Sequence, residues 1–291
     1  MRLVFLGTPE AAVVSLEALL AADHDVALVV TRPDRRRGRG GQLSPSPVKR
    51  AALAHGLRVT HRLADAADVG AERGVVVAYG AIIPAALLEV LPMLNVHFSL
   101  LPRWRGAAPV QRAILAGDRE TGVSIISLEP TLDTGPVHLE RRTVIGEDTA
   151  DELTRRLAVL GAEALVEVLA NRNLLDHPTE QSGESTYATK VEPDEYKLSP
   201  AMTSVMASRT VRLGRAYFVM DDKRVTVEAA RLVSDDSAEP GWVEERAGEV
   251  LLGLCDGSLA LTFVRPEGRA TMAARSWWGG LRPVKDRRPW S

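Results

Sequence analysis

The sequence contains a single cysteine, Cys255, in 291 residues. One cysteine excludes an intramolecular disulfide and any metal site built from several thiolates. Aromatic residues are also scarce, at 4% of the chain, and no apolar stretch approaches the roughly 20 residues that a membrane helix requires. We therefore predict a cytoplasmic protein that contains no membrane segment and no cysteine-based metal site, and we expect it to use no metal.

An excess of positive charge is absent as well. The chain has 36 Lys+Arg against 38 Asp+Glu, which gives a formal net charge of -2. This balance excludes a protein that binds nucleic acid through overall basicity, so any such contact must depend on a local patch. The length suggests two domains or one large one, and 45% hydrophobic residues are sufficient for a core in each.

The first half of the sequence predicts alternating strands and helices. An apolar strand at 2–6 precedes a helical pattern at 10–22 and a β-branched strand at 26–30. Further strands are predicted at 75–78, 94–97 and 123–128, and the longest helix at 149–170. This order is typical of an α/β fold with a doubly wound, mostly parallel sheet.

The second half of the sequence has a different pattern. Short alternating strands surround turn signals such as Asp256-Gly257, which predicts a small β-rich domain. The segment 171–200 between the two halves is polar and irregular, and we interpret it as a linker. The basic tail, residues 281–291, is expected to fray.

The first turn between a strand and a helix lacks the glycines of a dinucleotide-binding site. It contains Gly7-Thr8-Pro9-Glu10, with no second and third glycine to admit a pyrophosphate. Pro9 also removes an amide donor from the turn. The sequence therefore argues against an enzyme that uses a nicotinamide cofactor.

Asn95 and His97 stand two residues apart at the end of a predicted strand. On an extended strand both side chains leave one face, and doubly wound sheets place their sites at the carboxyl ends of strands. An amide can donate to a developing oxyanion while an imidazole carries protons, which suits attack on a carbonyl group. The alternative is that Asn95 caps a turn and His97 is a hydrogen-bonded core histidine, and the spacing alone does not decide.

Asp133 follows a later predicted strand, in Leu132-Asp-Thr-Gly135. We expect its loop to leave the sheet at the same edge as His97, where a carboxylate would orient the imidazole or stabilise its charge. The alternative is ordinary turn chemistry, because Asp-Thr-Gly is a favourable turn. The local sequence by itself favours that alternative.

A basic, glycine-rich segment follows the second strand, between Thr31 and Arg50. We expect a flexible loop at the edge of the sheet that carries His97, able to neutralise phosphates. The alternative is a solvated connector. The position of the segment beside the candidate site, and its one-sided charge in a nearly neutral protein, weigh against a connector.

Several of these motifs together resemble a known family. The match runs in order and spacing through Gly7-Thr8-Pro9, Arg39-Gly40, Ser44-Pro-Ser-Pro-Val48, Ala78-Tyr-Gly80, Asn95-Val-His97, Ser99-Leu-Leu-Pro102, Arg105-Gly-Ala-Ala-Pro109 and Leu132-Asp-Thr-Gly135. On these residues the sequence is similar to the formyltetrahydrofolate-dependent formyltransferases. The Ser-Pro-Ser-Pro-Val loop and Trp104-Arg-Gly-Ala-Ala-Pro resemble the methionyl-tRNA formyltransferase branch, and the second half matches more weakly, at Pro266-Glu-Gly-Arg269 and Met272.

The resemblance implies a domain organisation and a reaction. Residues 1–185 would form a Rossmann-like formyltransferase domain, residues 186–200 a linker, and residues 201–291 a small β-barrel resembling an OB-fold that contacts tRNA. The enzyme would transfer a formyl group from 10-formyltetrahydrofolate to the α-amine of methionyl initiator tRNA, which supports translation initiation, and it would act as a monomer.

The resemblance also implies the residues of the site. The catalytic residues would be Asn95, His97 and Asp133. The folate would be held by Ser99, Leu100, Leu101 and Pro102. From the charge, glycine content and position of the basic segment, we expect its arginines to contact tRNA: Arg35, Arg36, Arg37 and Arg39.

Two other functions remain open at this stage. One is a formyltransferase of the same group that acts on a sugar amine, which the Ser-Pro-Ser-Pro loop and the basic tail disfavour. The other is a non-catalytic RNA-binding relative, which the presence of Asn95, His97 and Asp133 disfavours.

Overall fold

The computed structural model describes residues 1–37, 41–233, 238–281 and 286–291. The chain divides into two compact units. The first comprises Met1–Val110, Glu120–Val144 and Leu153–Thr189, and the second comprises Gln111–Arg119, Ile145–Glu152 and Lys190–Ser291. Each unit has a sheet of its own.

Strands and helices alternate through the first part of the chain. The strands are β1 (Arg2–Gly7), β2 (Asp25–Val30), β3 (Arg35–Arg37), β4 (Gln42–Ser44), β5 (Val59–Thr60), β6 (Arg73–Val77), β7 (Met93–His97), β8 (Arg105–Gly106), β9 (Glu120–Ser127), β10 (Val137–Val144) and β11 (Tyr187–Ala188). The helices are α1 (Glu10–Ala21), α2 (Pro47–Ala54), α3 (Ala85–Val90), α4 (Pro109–Ala116), α5 (Ala150–Ala170) and α6 (Arg172–Asp176), with a 3-10 helix at Leu63–Asp68.

The main sheet has the strand order β10-β9-β7-β6-β1-β2-β5. The strands from β7 to β5 in this order are parallel, whereas β9 is antiparallel to β7 and β10 is antiparallel to β9. Leu3–Leu6 of β1 are fully buried, as expected for a parallel strand whose two faces are both covered. The doubly wound, mostly parallel sheet predicted from the sequence is confirmed.

The ends of β2 and β7 lie at the same edge of this sheet, because β2, β1, β6 and β7 are successive parallel strands. The basic segment and the pair Asn95 and His97 therefore share an edge, as expected. Part of the basic segment is regular: β3 and β4 form an antiparallel hairpin in which Arg35 pairs with Ser44. Arg39 lies outside the described residues.

The second unit is an antiparallel, nearly closed barrel, so the predicted small β-barrel is confirmed. Its strands are β12 (Tyr217–Met220), β13 (Lys223–Val233), β14 (Trp242–Arg246), β15 (Glu249–Leu254), β16 (Gly257–Pro266), β17 (Met272–Ala273) and β18 (Arg287–Pro289). Its helices are α7 (Ser204–Val211) and α8 (Ala274–Gly279), with a 3-10 helix at Pro193–Tyr196. The strand order is β12-β13-β16-β15-β14-β18, and β17 pairs with β16.

The end of the described chain closes this barrel. β18 pairs with β14 on one side, and Ser291 exchanges two backbone hydrogen bonds of 2.7 and 2.9 Å with Val219 of β12 on the other. Trp290 and Arg288 are 6% and 4% exposed, and the indole of Trp290 packs edge-on against Phe218. The expected fraying of the tail is therefore wrong for residues 286–291, because an aromatic side chain anchors them in the core.

In the described part of the chain, no helix has both the length and the apolar character needed to cross a membrane.

Candidate active site

β7 carries two polar side chains into the buried part of the sheet. Asn95 and His97 project from one face of the strand and are 9% and 6% exposed. His97 Nε2 lies 2.9 Å from the carbonyl oxygen of Trp104. Because a carbonyl oxygen only accepts, Nε2 carries a proton and donates it. Nδ1 is therefore the ring nitrogen that remains for chemistry.

The side-chain amide of Asn95 has no hydrogen-bond partner among the residues that the structure describes. Buried amides in folded proteins are almost always hydrogen-bonded. An amide that keeps a small exposed fraction and makes no internal hydrogen bond can donate to a bound molecule. This observation does not support the alternative in which Asn95 caps a turn.

Asp133 lies opposite the other ring nitrogen of His97. Its Oδ2 is 3.7 Å from His97 Nδ1 and accepts a hydrogen bond of 2.8 Å from the backbone N–H of Gly106. The residue has a φ of 52°, in the left-handed region that aspartate tolerates better than most residues. A carboxylate at this distance stabilises positive charge on the imidazole.

The path of the chain to Asp133 differs from the expectation. The sequence predicts that this loop leaves the sheet at the carboxyl edge, with the end of β7. The antiparallel strand β9 instead pairs its last residue, Ser127, with Leu94 near the start of β7. That expectation is wrong, because the loop begins at the other edge and folds back to bring Asp133 to His97.

Two glycines permit this arrangement. A Cβ on Gly135 would overlap the carbonyl oxygen of Ser127, so the loop can turn back only with glycine there. Gly106 has a φ of 117°, and a Cβ on it would lie 2.9 Å from the carbonyl oxygen of Ala188. Glycine at 106 therefore allows its N–H to reach Asp133 while its Cα packs against Ala188.

The segment predicted to hold folate forms the turn after β7. The Ser99 hydroxyl donates to the carbonyl oxygen of Arg103 at 2.6 Å, and the Leu101 N–H donates to Ser124 Oγ at 3.1 Å. Leu101 is buried, whereas Leu100 and Pro102 are partly exposed. Ser99 and Leu101 thus hold the shape of the turn through their internal contacts.

Sequence reasoning missed the residues that support this turn from the segment 181–188. Thr186 Oγ1 accepts a hydrogen bond from the Trp104 N–H at 2.9 Å, and the Ala188 carbonyl accepts from the N–H groups of Ala107 and Ala108. Gln181 bonds to the Asp133 loop and to Arg105. The polar, irregular composition that suggested a linker carries no signal for these contacts.

A second buried histidine lies in the first unit. His138 Nδ1 donates to the carbonyl oxygen of Leu174 at 2.9 Å, so Nε2 accepts from the Ser127 hydroxyl at 2.8 Å. Burial lowers the pKa of His138, more than the hydrogen bond to Leu174 raises it. His138 is therefore neutral near pH 7, and both of its ring nitrogens are hydrogen-bonded within the fold.

The arrangement as a whole suits acyl transfer to an amine. It offers an unbonded amide donor at Asn95, an imidazole nitrogen that can take a proton at His97, and a carboxylate at Asp133 that stabilises the resulting charge. The described residues contain no group of three or more potential metal ligands of the His, Cys, Asp and Glu type.

Comparisons with known proteins point to one family. Residues 1–169 match the family described as formyl transferase, and residues 204–282 match the formyl transferase C-terminal domain. The chain is 40% identical over 302 residues to the methionyl-tRNA formyltransferase of Jannaschia sp. (strain CCS1), with 97% of each chain covered. It is 42% identical over 300 residues to that of Clavibacter michiganensis subsp. michiganensis, again with 97% of each covered.

A solved structure shares the fold. The N-formyltransferase from Helicobacter canadensis, in complex with folinic acid and dTDP-3-aminofucose, superposes with a TM-score of 0.69 over 90% of this chain and 99% of that one. The two sequences are 19% identical, so this likeness concerns the fold alone.

Proposed function

Because the chain belongs to the formyl transferase family, we propose that it transfers a formyl group from 10-formyltetrahydrofolate to the α-amine of methionine on initiator tRNA. Relatives named methionyl-tRNA formyltransferase, 40% and 42% identical over 97% of the chain, support this acceptor. The observation that carries the chemistry is the imidazole of His97, with Asp133 at one ring nitrogen and the Trp104 carbonyl at the other. The reaction belongs to translation initiation, and its place would be the cytoplasm.

The acceptor amine is a suitable nucleophile without a strong base. The carboxyl group of the same methionine is esterified to tRNA, which makes the amine less basic. The neutral form of the amine is therefore available near pH 7. The amine nitrogen attacks the formyl carbon, the N–C bond to the folate breaks, and one proton moves from the amine to the departing folate nitrogen. The enzyme must position the two substrates, stabilise the oxyanion and carry that proton.

His97 carries the proton in this proposal. Its Nε2 donates to Trp104, so the proton from the amine is taken at Nδ1 and later passed to the folate nitrogen. Asp133 stabilises the imidazolium that exists between these two transfers, from 3.7 Å. In its neutral form His97 has no second N–H to donate to the oxyanion, which supports a proton-carrying role over a shared oxyanion role.

Asn95 stabilises the oxyanion in this proposal. Its side-chain amide shares the face of β7 with His97 and has no hydrogen-bond partner within the described residues. An N–H donor held beside the proton carrier is the arrangement that a tetrahedral formyl intermediate requires.

The turn formed by Ser99, Leu100, Leu101 and Pro102 borders this site, and we propose that it holds the folate through its shape and exposed surface. The Ser99 hydroxyl is engaged by the Arg103 carbonyl, which favours such a structural contribution from Ser99. Leu100 and Pro102 are partly exposed and supply the apolar surface.

The arginines of the basic segment would contact the phosphates of the tRNA. Arg35 and Arg36 are exposed in β3, and neither has an ion-pair partner among the described residues. Arg37 continues the same strand, and Arg39, outside the described residues, is the arginine flanked by glycines in the motif shared with the family.

The test is formylation of charged initiator tRNA with labelled 10-formyltetrahydrofolate. We expect formylmethionyl-tRNA to form, and no product with a nucleotide-linked amino sugar. Turnover of the sugar with none of the tRNA would replace the proposed function by the sugar-amine alternative. Binding of tRNA without turnover would indicate a non-catalytic relative.

A further inference from the structure

Asp133 lies in the loop between β9 and β10, so its position depends on contacts with other segments of the chain. Its loop begins at the far edge of the sheet, has a positive φ at Asp133 itself, and returns over the distance of β7 to reach His97. The Gly106 N–H holds one carboxylate oxygen. Gly106 belongs to a separate segment, so the carboxylate is placed only if the two segments are held together.

Gln181 joins these two segments. Its Nε2 donates to the carbonyl oxygens of Asp133 and Gly135, at 2.8 and 2.9 Å. Its Oε1 accepts from Nε and Nη2 of Arg105, at 3.1 and 2.6 Å. Both N–H groups and the carbonyl oxygen of one amide are thus in use, which is nearly the full capacity of the side chain.

The contacts form a closed ring through the site. Gln181 binds the backbone of Asp133, the Asp133 carboxylate binds the N–H of Gly106, and Arg105, the residue before Gly106, binds back to Gln181. A ring of this kind fixes the distance between the loop of Asp133 and the segment that receives its carboxylate.

We propose that Gln181 is a positioning residue for the formyl-transfer reaction, which sets the place of the Asp133 carboxylate opposite His97 Nδ1. This inference rests on the proposed function. Glutamine suits the task because it both donates to the carbonyls and accepts from an arginine. Glutamate would keep the bond to Arg105 but would place a carboxylate oxygen against two carbonyl oxygens.

The diagnostic variant is therefore Gln181→Glu, which preserves size and the bond to Arg105 but replaces the two donated hydrogen bonds by repulsion between oxygen atoms. We expect kcat to fall by roughly ten- to a hundredfold, since a displacement on the order of 1 Å at a site can reduce the rate about 10²-fold. The KM values for tRNA and formyl-folate should stay within about twofold, because the contacts with the substrates remain. Glu180, the exposed residue before Gln181, supplies the matched control. The kcat and KM values of Glu180→Gln should equal those of the unmodified chain.

A double variant separates positioning from general stability. If Gln181 acts through Asp133, then Gln181→Glu should reduce kcat little further in an Asp133→Asn background. If circular dichroism shows that Gln181→Glu is unfolded, Gln181→Met is used in its place for the same comparison. A folded Gln181 variant with unchanged kcat, or one whose full effect persists beside Asp133→Asn, would overturn the inference.

One measurement is independent of turnover. The ring ¹⁵N resonances of His97 report the position of the carboxylate, so they should move in Gln181→Glu and stay in place in Glu180→Gln. Absence of tRNA formylation by the unmodified chain would reject the proposed function. Unmoved His97 resonances in Gln181→Glu would reject the role of Gln181.

Discussion

At the scale of single residues, His97 shows how two neighbours assign different tasks to one ring. The Trp104 carbonyl keeps a proton on Nε2, which leaves Nδ1 facing Asp133. The sequence showed that Asn95 and His97 share a face of β7, because strand periodicity is local. It could not show the tautomer of His97, because that depends on a backbone carbonyl, and a carbonyl has no sequence signature.

Replacement of the polar pair tests its part in the reaction. Asn95→Ala should lower kcat by roughly 10²–10³-fold, the range seen when one oxyanion donor is removed. His97→Ala should lower it by roughly 10²–10⁴-fold, the usual contribution of a general acid and base. Turnover of charged tRNA at saturating substrates is the measurement, with circular dichroism to show that the fold is retained. Activity within about threefold of the unmodified chain would remove either residue from the mechanism.

The role of Asp133 can be separated from its turn conformation. Asn tolerates the left-handed region and the turn as well as Asp does, but it carries no charge to stabilise an imidazolium. Asp133→Asn should therefore keep the thermal unfolding temperature and reduce kcat. Equal turnover in the variant and the unmodified chain would mean that Asp133 serves the turn alone.

His138 predicts a dependence of stability on pH. Burial lowers its pKa in the folded state below the ordinary value of 6.5, so the unfolded chain binds this proton more readily. Its contribution to stability is full above pH 6.5 and is lost as the pH falls below that value toward the lower pKa of the folded state. We expect an extra slope of up to about 1.4 kcal/mol per pH unit in that window.

Urea unfolding between pH 7.5 and 5.5 measures this slope. The variant His138→Gln should have a smaller slope than the unmodified chain, whereas His177→Gln, at an exposed histidine, should not change it. Identical slopes in all three proteins would contradict the assignment of a neutral, buried His138.

At the scale of elements, the main sheet shows which placements follow from sequence pattern. The strands β1, β2 and β6 are recognisable because burial on both faces makes their central residues hydrophobic. β10 has the polar sequence of an edge strand, VHLERRTV, and was missed. Without β10 the sequence gives no signal that β9 is antiparallel to β7, and the Asp133 loop was therefore expected at the wrong edge.

The hairpin of β3 and β4 gives a prediction for salt dependence. A double variant, Arg35→Ala with Arg36→Ala, should weaken kcat/KM for charged tRNA and leave the KM for formyl-folate unchanged. Each phosphate contact that is lost should reduce the slope of log kcat/KM against log salt by about one. Arg39→Ala should act in the same direction.

A salt series from low to physiological ionic strength measures these slopes. Arg172→Ala is the matched control, because Arg172 is a highly exposed arginine on α6, outside the hairpin. Equal efficiency and equal slopes in the control, the double variant and Arg39→Ala would mean that the basic segment is only a solvated connector.

At the scale of the whole molecule, the chain forms two units of different architecture, as the change of pattern along the sequence predicts. The sequence analysis did not predict that residues 286–291 complete the barrel of the second unit. The basic charge of residues 281–291 suggested solvent exposure, while Trp290, a large apolar side chain in that tail, was the signal for burial. Charge dominated the expectation, although Arg288 is itself buried in an ion pair with Asp221.

Trp290 offers a test of how much the stability of the barrel depends on the packing of residues 286–291. Trp290→Ala should reduce the free energy of unfolding by about 3–5 kcal/mol, the usual loss for a buried large aromatic. Trp290→Phe should be much less damaging, because the buried Nε1 has no hydrogen-bond partner within the described residues. Urea unfolding followed by circular dichroism measures both, and equal losses in the two variants would contradict the packing role of the ring.

The pairing of Val219 with Ser291 also determines when the barrel can form during synthesis of the chain. The main sheet of the first unit has all its strands once residue 144 has been made, so it can assemble while translation continues. The barrel cannot close until residues 287–291 have been made, because β18 supplies the contact with β14 and Ser291 supplies the contact with β12. Until then two strand edges stay unpaired, and a nascent or truncated chain is exposed to association with other chains through those edges.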